Sequence, residues 1–98
     1  MTRGADWGAT DLTGGPVDEV FASLRRSFSD LRIERLTVTH PTDDDNVWFL
    51  TLHSKGIELQ IDSMPDGAPP FLLESDTEQE RAEDAASAIV KLTEWLEE

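Results

Sequence analysis

Apolar side chains recur along this chain in two periods. Val17, Val20, Phe21, Leu24 and Phe28 fall three and four residues apart, which gathers them on one side of a helix. Pro16 suits the first helical position, where its missing N–H costs nothing. Asp18 and Glu19 face the positive end of the helix dipole, and Arg25 and Arg26 the negative end. The pattern predicts a helix over 16–29. Ala85, Ala86, Ile89, Leu92 and Leu96 repeat the spacing near the carboxy terminus. Ser75-Asp76-Thr77-Glu78 reads as a capping box at the mouth of that second helix, with its first residue open by one or two. Glu97 and Glu98 bring negative charge to the negative end of the dipole, so its last turn should fray.

Between the helices the period drops to two. From Arg32 to His40, Ile33, Leu36 and Val38 alternate imperfectly with polar residues; Ile33 is out of phase, which a bulge or a late start accommodates. Pro41 to Asn46 has the chemistry of a turn. Val47 to His53 is the most apolar strand, with Trp48, Leu50 and Leu52 on one face and Val47 and Phe49 on the other. Ser54-Lys55-Gly56 makes a tight hairpin loop, after which Ile57, Leu59 and Ile61 alternate cleanly with Glu58, Gln60 and Asp62. Pro65-Asp66-Gly67 is a further turn, and Pro69-Pro70 leads into Phe71-Leu72-Leu73. That run fits a fourth strand at an edge, because prolines cannot donate to a ladder.

The order is helix, three to four strands, helix. Short connections favour an antiparallel meander, and the fold class is α+β with both helices packed on the sheet face of Leu36, Val38, Trp48, Leu50, Leu52, Ile57, Leu59 and Ile61. Val47, Phe49, Thr51 and His53 would then share the opposite face with Glu58, Gln60 and Asp62. Residues 1–15, with four glycines and no apolar periodicity, are expected to form a flexible segment in which Trp7 is solvated. Residues 16–98 form a single domain: 98 residues, 38% of them hydrophobic and none of them cysteine, build one core and no disulfide.

Charge sharpens the picture. The net charge is −13, and its distribution is uneven. Residues 1–40 carry −1, with Arg25, Arg26, Arg32 and Arg35 clustered, and residues 41–98 carry −12. Such a field repels nucleic acid and anionic lipid and speeds encounter with basic proteins. No apolar run reaches membrane-spanning length and no secretory signal opens the chain, so the expected compartment is the cytoplasm.

Catalytic chemistry finds no anchor. Cysteine is absent, no serine sits in a nucleophile motif, and His40 and His53 flank turns. Asp43-Asp44-Asp45-Asn46 lacks the glycine and glutamate of a calcium loop. Gly14-Gly15 lacks the lysine of a phosphate loop. The expectation is a protein with no catalytic, cofactor or metal site.

The run Ile57-Glu58-Leu59-Gln60-Ile61-Asp62-Ser63, the Asp66-Gly67 turn and Pro70-Phe71-Leu72-Leu73-Glu74-Ser75-Asp76 before an acidic helix resemble the carboxy-terminal half of some bacterial toxin-immunity proteins, over about 40 residues. The resemblance implies a cytoplasmic protein that sequesters one cognate toxin and carries no catalytic residue. On this reading Asp43, Asp44, Asp45, Val47, Phe49, Glu58, Asp62, Asp66 and Glu74 supply the surface that docks a basic partner. The alternative is a small acidic secretion or assembly chaperone that holds a client segment through Val47, Phe49 and Trp7. It would be a homodimer, whereas an inhibitor can act as a monomer.

Overall fold

The structure, a computed structural model, describes residues 4–37 and 46–98. Among these the elements run β1 (Gly4–Asp6), α1 (Val17–Ser27), β2 (Leu31–Leu36), β3 (Val47–Leu52), β4 (Ile57–Met64), β5 (Ala68–Glu74), β6 (Gln79–Ala82) and α2 (Ala85–Glu97), with a single 3-10 turn at Pro65–Gly67 between β4 and β5. The strands form one antiparallel sheet in sequence order, so every strand pairs with its neighbours in the chain. The helices contact each other and the sheet. No helix of the described residues is long and apolar enough to cross a membrane.

Pairing register explains which side chains enter the core. Ile33, Leu50 and Leu59 lie across from one another, as do Trp48, Ile61 and Leu73, and Phe71 opposes Ala82. Because side chains alternate between faces, these rows are all buried together. They form one cluster with Val17, Val20, Phe21 and Leu24 of α1 and Ala85, Ala88, Leu92, Trp95 and Leu96 of α2. The second helical stripe thus differs in detail from expectation: Ala86 is exposed, Ile89 is half-buried, and Trp95 is a core residue.

Strand β2 starts earlier than expected and takes the opposite phase. Leu31 and Ile33 are the buried residues, and Leu36 is half-buried on the other face. The inward position after Ile33 is Arg35, opposite Trp48. A cation there breaks the apolar alternation, and it is tolerated because its guanidinium stacks on indole rings, 5.1 Å from the centroids of both Trp7 and Trp48. Val38, Thr39 and His40 lie outside the described residues, as does the turn at 41–45.

The expected edge strand at Phe71–Leu73 is not an edge, and the sheet has six strands where three to four were expected. Ser75 opens a tight turn and not a helix. Its hydroxyl accepts the N–H groups of Thr77 and Glu78, and its own N–H donates to the Glu78 carbonyl at 2.9 Å. Residues 79–82 then pair back onto β5. The same side-chain chemistry caps helices and closes turns, and the demand of β5 for backbone partners decided between them. Helix α2 begins after Asp84, whose carboxylate accepts the Ser87 N–H at 2.8 Å.

The glycine-rich start, expected to be a mobile tail, is part of the fold from Gly4 onward. Strand β1 pairs with β2, and Trp7 donates its N–H to the Ile33 carbonyl at 2.8 Å. Asp18, from the first turn of α1, accepts hydrogen bonds from the N–H and hydroxyl of Thr13 and from the N–H of Gly14. The loop then passes so close to the Pro65–Gly67 turn that a Cβ on Gly67, at φ +72, would lie 2.3 Å from the Thr13 hydroxyl and 2.6 Å from a methyl of Val17.

Two outcomes follow. Gly67→Ala combines left-handed backbone with that contact, so it should destabilise the fold by more than about 1 kcal/mol in urea unfolding. Asp84 is held below its usual carboxyl value of 3.8 by the Ser87 N–H and then the Ser87 hydroxyl. A lowered folded-state value contributes stability that is present above the usual value and lost as pH falls through the lowered one. Asp84→Ala should therefore lower the midpoint at neutral pH by an amount that vanishes in acid, while Ser75→Ala leaves the helical circular dichroism unchanged.

Candidate functional site

The strand positions that alternate with the core rows form the second face of the sheet. Three rows cross it. Arg32, Thr51 and Glu58 make the first; Glu34, Phe49, Gln60, Glu74 and Gln79 the second; Val47, Asp62, Leu72 and Arg81 the third. Glu58, Gln60 and Asp62 on β4 thus form a polar ridge between apolar Val47 and Phe49 on β3 and Leu72 on β5. Val47, Phe49 and Leu72 are half-buried, while Arg32, Glu58 and Arg81 are exposed.

Two carboxylates of this face, Asp62 and Glu74, are held by neighbouring amides, and two of its cations by neighbouring carboxylates. Gln60 Nε2 donates to Asp62 Oδ1 at 2.9 Å, and Gln79 Nε2 donates to Glu74 Oε1 at 3.0 Å. Arg32 lies 3.9 Å from Asp6, and Arg81 forms a 2.9 Å ion pair with Glu83. Glu34, Glu58, Asp62 and Glu74 outnumber Arg32 and Arg81, so the face is acidic as well as partly apolar. A surface of this kind can bind a protein by shape and charge.

Of the residues expected to contact a partner, Val47, Phe49, Glu58, Asp62 and Glu74 share this face. Asp66 does not. It sits in the 3-10 turn at φ +62, beside the loop before α1, where a Cβ on Gly15 would lie 2.0 Å from its carbonyl oxygen. Asp43, Asp44 and Asp45 lie outside the described residues. Gln60 falls on the face, as its alternation with Leu59 and Ile61 predicts, while Leu72 and Arg81 were missed as members of it. Leu72 could have been found by carrying the period-two alternation from β4 into β5; Arg81 could not, because its strand was hidden inside a predicted helix.

Three of the four clustered arginines make structural contacts. Arg25 donates to the Trp7 carbonyl, Arg32 faces Asp6, and Arg35 lies against Trp7 and Trp48. Trp7 meets Trp48 edge-on, with ring centres 5.9 Å apart, and Phe21 meets Trp48 at 5.4 Å. These contacts clasp β1 to the body of the protein. In the β3–β4 turn, His53 is exposed and lies near Asp30, whose carboxyl is held below its usual value chiefly by the Ser54 hydroxyl. Among the described residues no three His, Asp or Glu side chains converge to hold a metal ion.

Compared with protein-family models, with curated proteins and with solved structures, the chain matches none.

The clasp is open to direct measurement. Trp7→Ala removes an edge-on indole and one face of the Arg35 stack, which should cost about 1–2 kcal/mol of stability. Arg35→Ala should cost a similar amount, and the double variant should cost less than the two together because they share one contact. Urea unfolding of the three variants checks this.

Proposed function

We propose that this domain is a non-catalytic, cytoplasmic binding protein of the immunity type, which silences a basic toxin or enzyme by covering its cleft with the second face of the sheet. In this proposal both helices lie on the other face, over the core rows, and leave the second face accessible. What supports it is that one surface: Val47, Phe49 and Leu72 alternate there with Glu58, Asp62 and Glu74, and the whole chain carries −13. Apolar centres give residence time, and carboxylates around them speed encounter with a cationic cleft and align the two surfaces.

Self-pairing through sheet edges is discouraged at both ends. Strand β1 is three residues long, and β6 is four residues long and exposes Gln79, Glu80 and Arg81. Short, charged edges resist strand addition, which leaves the face as the surface for recognition. The apolar positions on β3 also favour a second reading, a dimeric chaperone that holds an unfolded client segment. That reading requires a stable homodimer and client binding that persists in high salt.

The test uses the immobilised full chain beside Phe49→Glu and the Glu58→Lys/Asp62→Lys pair, each exposed to lysate of the source cells. A basic protein retained by the native chain, released by moderate salt and lost from both variants is the expected result. That protein should be toxic when expressed alone and harmless when co-expressed with this chain. Equal retention by all three chains would overturn the face as the docking surface. A dimer that holds non-native clients through high salt would replace the inhibitor with the chaperone.

A further inference from the structure

The second face is not flat. Between β4 and β5 the register shifts: Asp62 pairs with Leu72 and Met64 with Ala68, so two steps along β4 correspond to four along β5. The extra residues include Pro69 and Pro70, which have no N–H to give to the ladder. The backbones part there, and a depression of about 270 Å³ opens, walled by Asp62, Met64, Pro70, Phe71, Leu72 and Arg81. Its lining is mainly apolar, and one wall is unusual for a protein surface: Met64 is 48% exposed. An unbranched thioether adapts its shape to what it touches. Asp62 stands on the β4 side and Arg81, turned toward Glu83 at 2.9 Å, on the β6 side.

The occupant follows from shape and charge. A hollow of this kind on a docking face has room for an apolar side chain, and a few side chains buried in such pockets supply most of the affinity of an interface. Asp62 and Arg81 line the hollow, with Arg81 paired to Glu83; Gln60 and Glu74 hold the next row of the same face and Glu58 the row beyond it. A second copy of this chain brings −13 against −13, so like-charge repulsion opposes it. We propose that the depression is the anchor pocket of the docking face: it seats one leucine-sized apolar side chain from a partner segment that carries lysine or arginine on either side. The inference rests on the docking reading above and adds the chemistry of the partner's central contact.

Peptides separate the two claims. Acetylated, amidated Gly-Lys-Leu-Lys-Gly, its Gly-Lys-Ala-Lys-Gly analogue and its Gly-Glu-Leu-Glu-Gly analogue are titrated into the 15N-labelled full chain at low salt, and amide shifts are followed. The leucine–lysine peptide should bind roughly tenfold more tightly than the alanine one, the ratio expected for burying a side chain of that size. Its shifts should centre on Asp62, Met64, Leu72 and Arg81. The glutamate peptide should bind at least tenfold more weakly, and Met64→Glu, a change at an exposed position, should abolish the leucine preference. Equal binding of the leucine and alanine peptides on this face would overturn the pocket and leave the docking face standing. Equal binding of the lysine and glutamate peptides would overturn the basic partner. Shifts confined to α2 would overturn the face and the pocket together, and no binding at millimolar peptide would overturn the pocket.

Discussion

Trp48 is the side chain on which four segments meet. It has no exposed surface, and around its ring lie Phe21 from α1, Trp7 from the start of the chain, and Arg35 from the neighbouring strand. Ile61 opposes it on β4. An indole buries more area than any other side chain, so one residue binds helix, amino-terminal strand and sheet centre into a single core. The placement of Trp48 also fixes the opposite face: with it turned inward, Val47 and Phe49 must point the other way. The candidate docking surface is therefore a geometric consequence of the core.

The central hairpin was legible in the sequence because its chemistry is unambiguous. Trp48, Leu50 and Leu52 against Ile57, Leu59 and Ile61 make a period-two pattern that no helix shares. Helix α1 was equally plain from its apolar stripe and charge polarity. The misreadings fall where one local signal serves two structures. Ser75 with Thr77 and Glu78 has the composition of a helix cap and of a β-turn, and Gln79-Glu80-Arg81-Ala82 has better helix than strand propensity. Only the open ladder of β5 draws it into the sheet. At Arg35 the inward residue is charged, and the sequence alone cannot show that two indoles wait to receive it.

The same logic limits what was legible of the site. Val47, Phe49, Glu58 and Asp62 follow from alternation within one hairpin, which needs no knowledge of distant contacts. Glu74 joins them only through the pairing of β4 with β5, and Arg81 only through the unforeseen β6. Asp66 is as acidic as its expected partners in function, yet a turn conformation at positive φ carries it to the end of the sheet. Acidity by itself selects residues without saying which of them share a surface.

The sequential order of the sheet has a consequence for how the molecule assembles. Each strand from β3 to β6 pairs with the one before it, so the sheet can grow hairpin by hairpin, with little loop entropy to overcome at each step. Strand β1 is the exception, since α1 stands between it and β2 in the chain, and the packing of α1 against α2 joins regions far apart in sequence. Those long-range closures carry the larger loop-entropy cost. The arginine clasp closes one of these loops: it latches the beginning of the chain onto a sheet made from its middle.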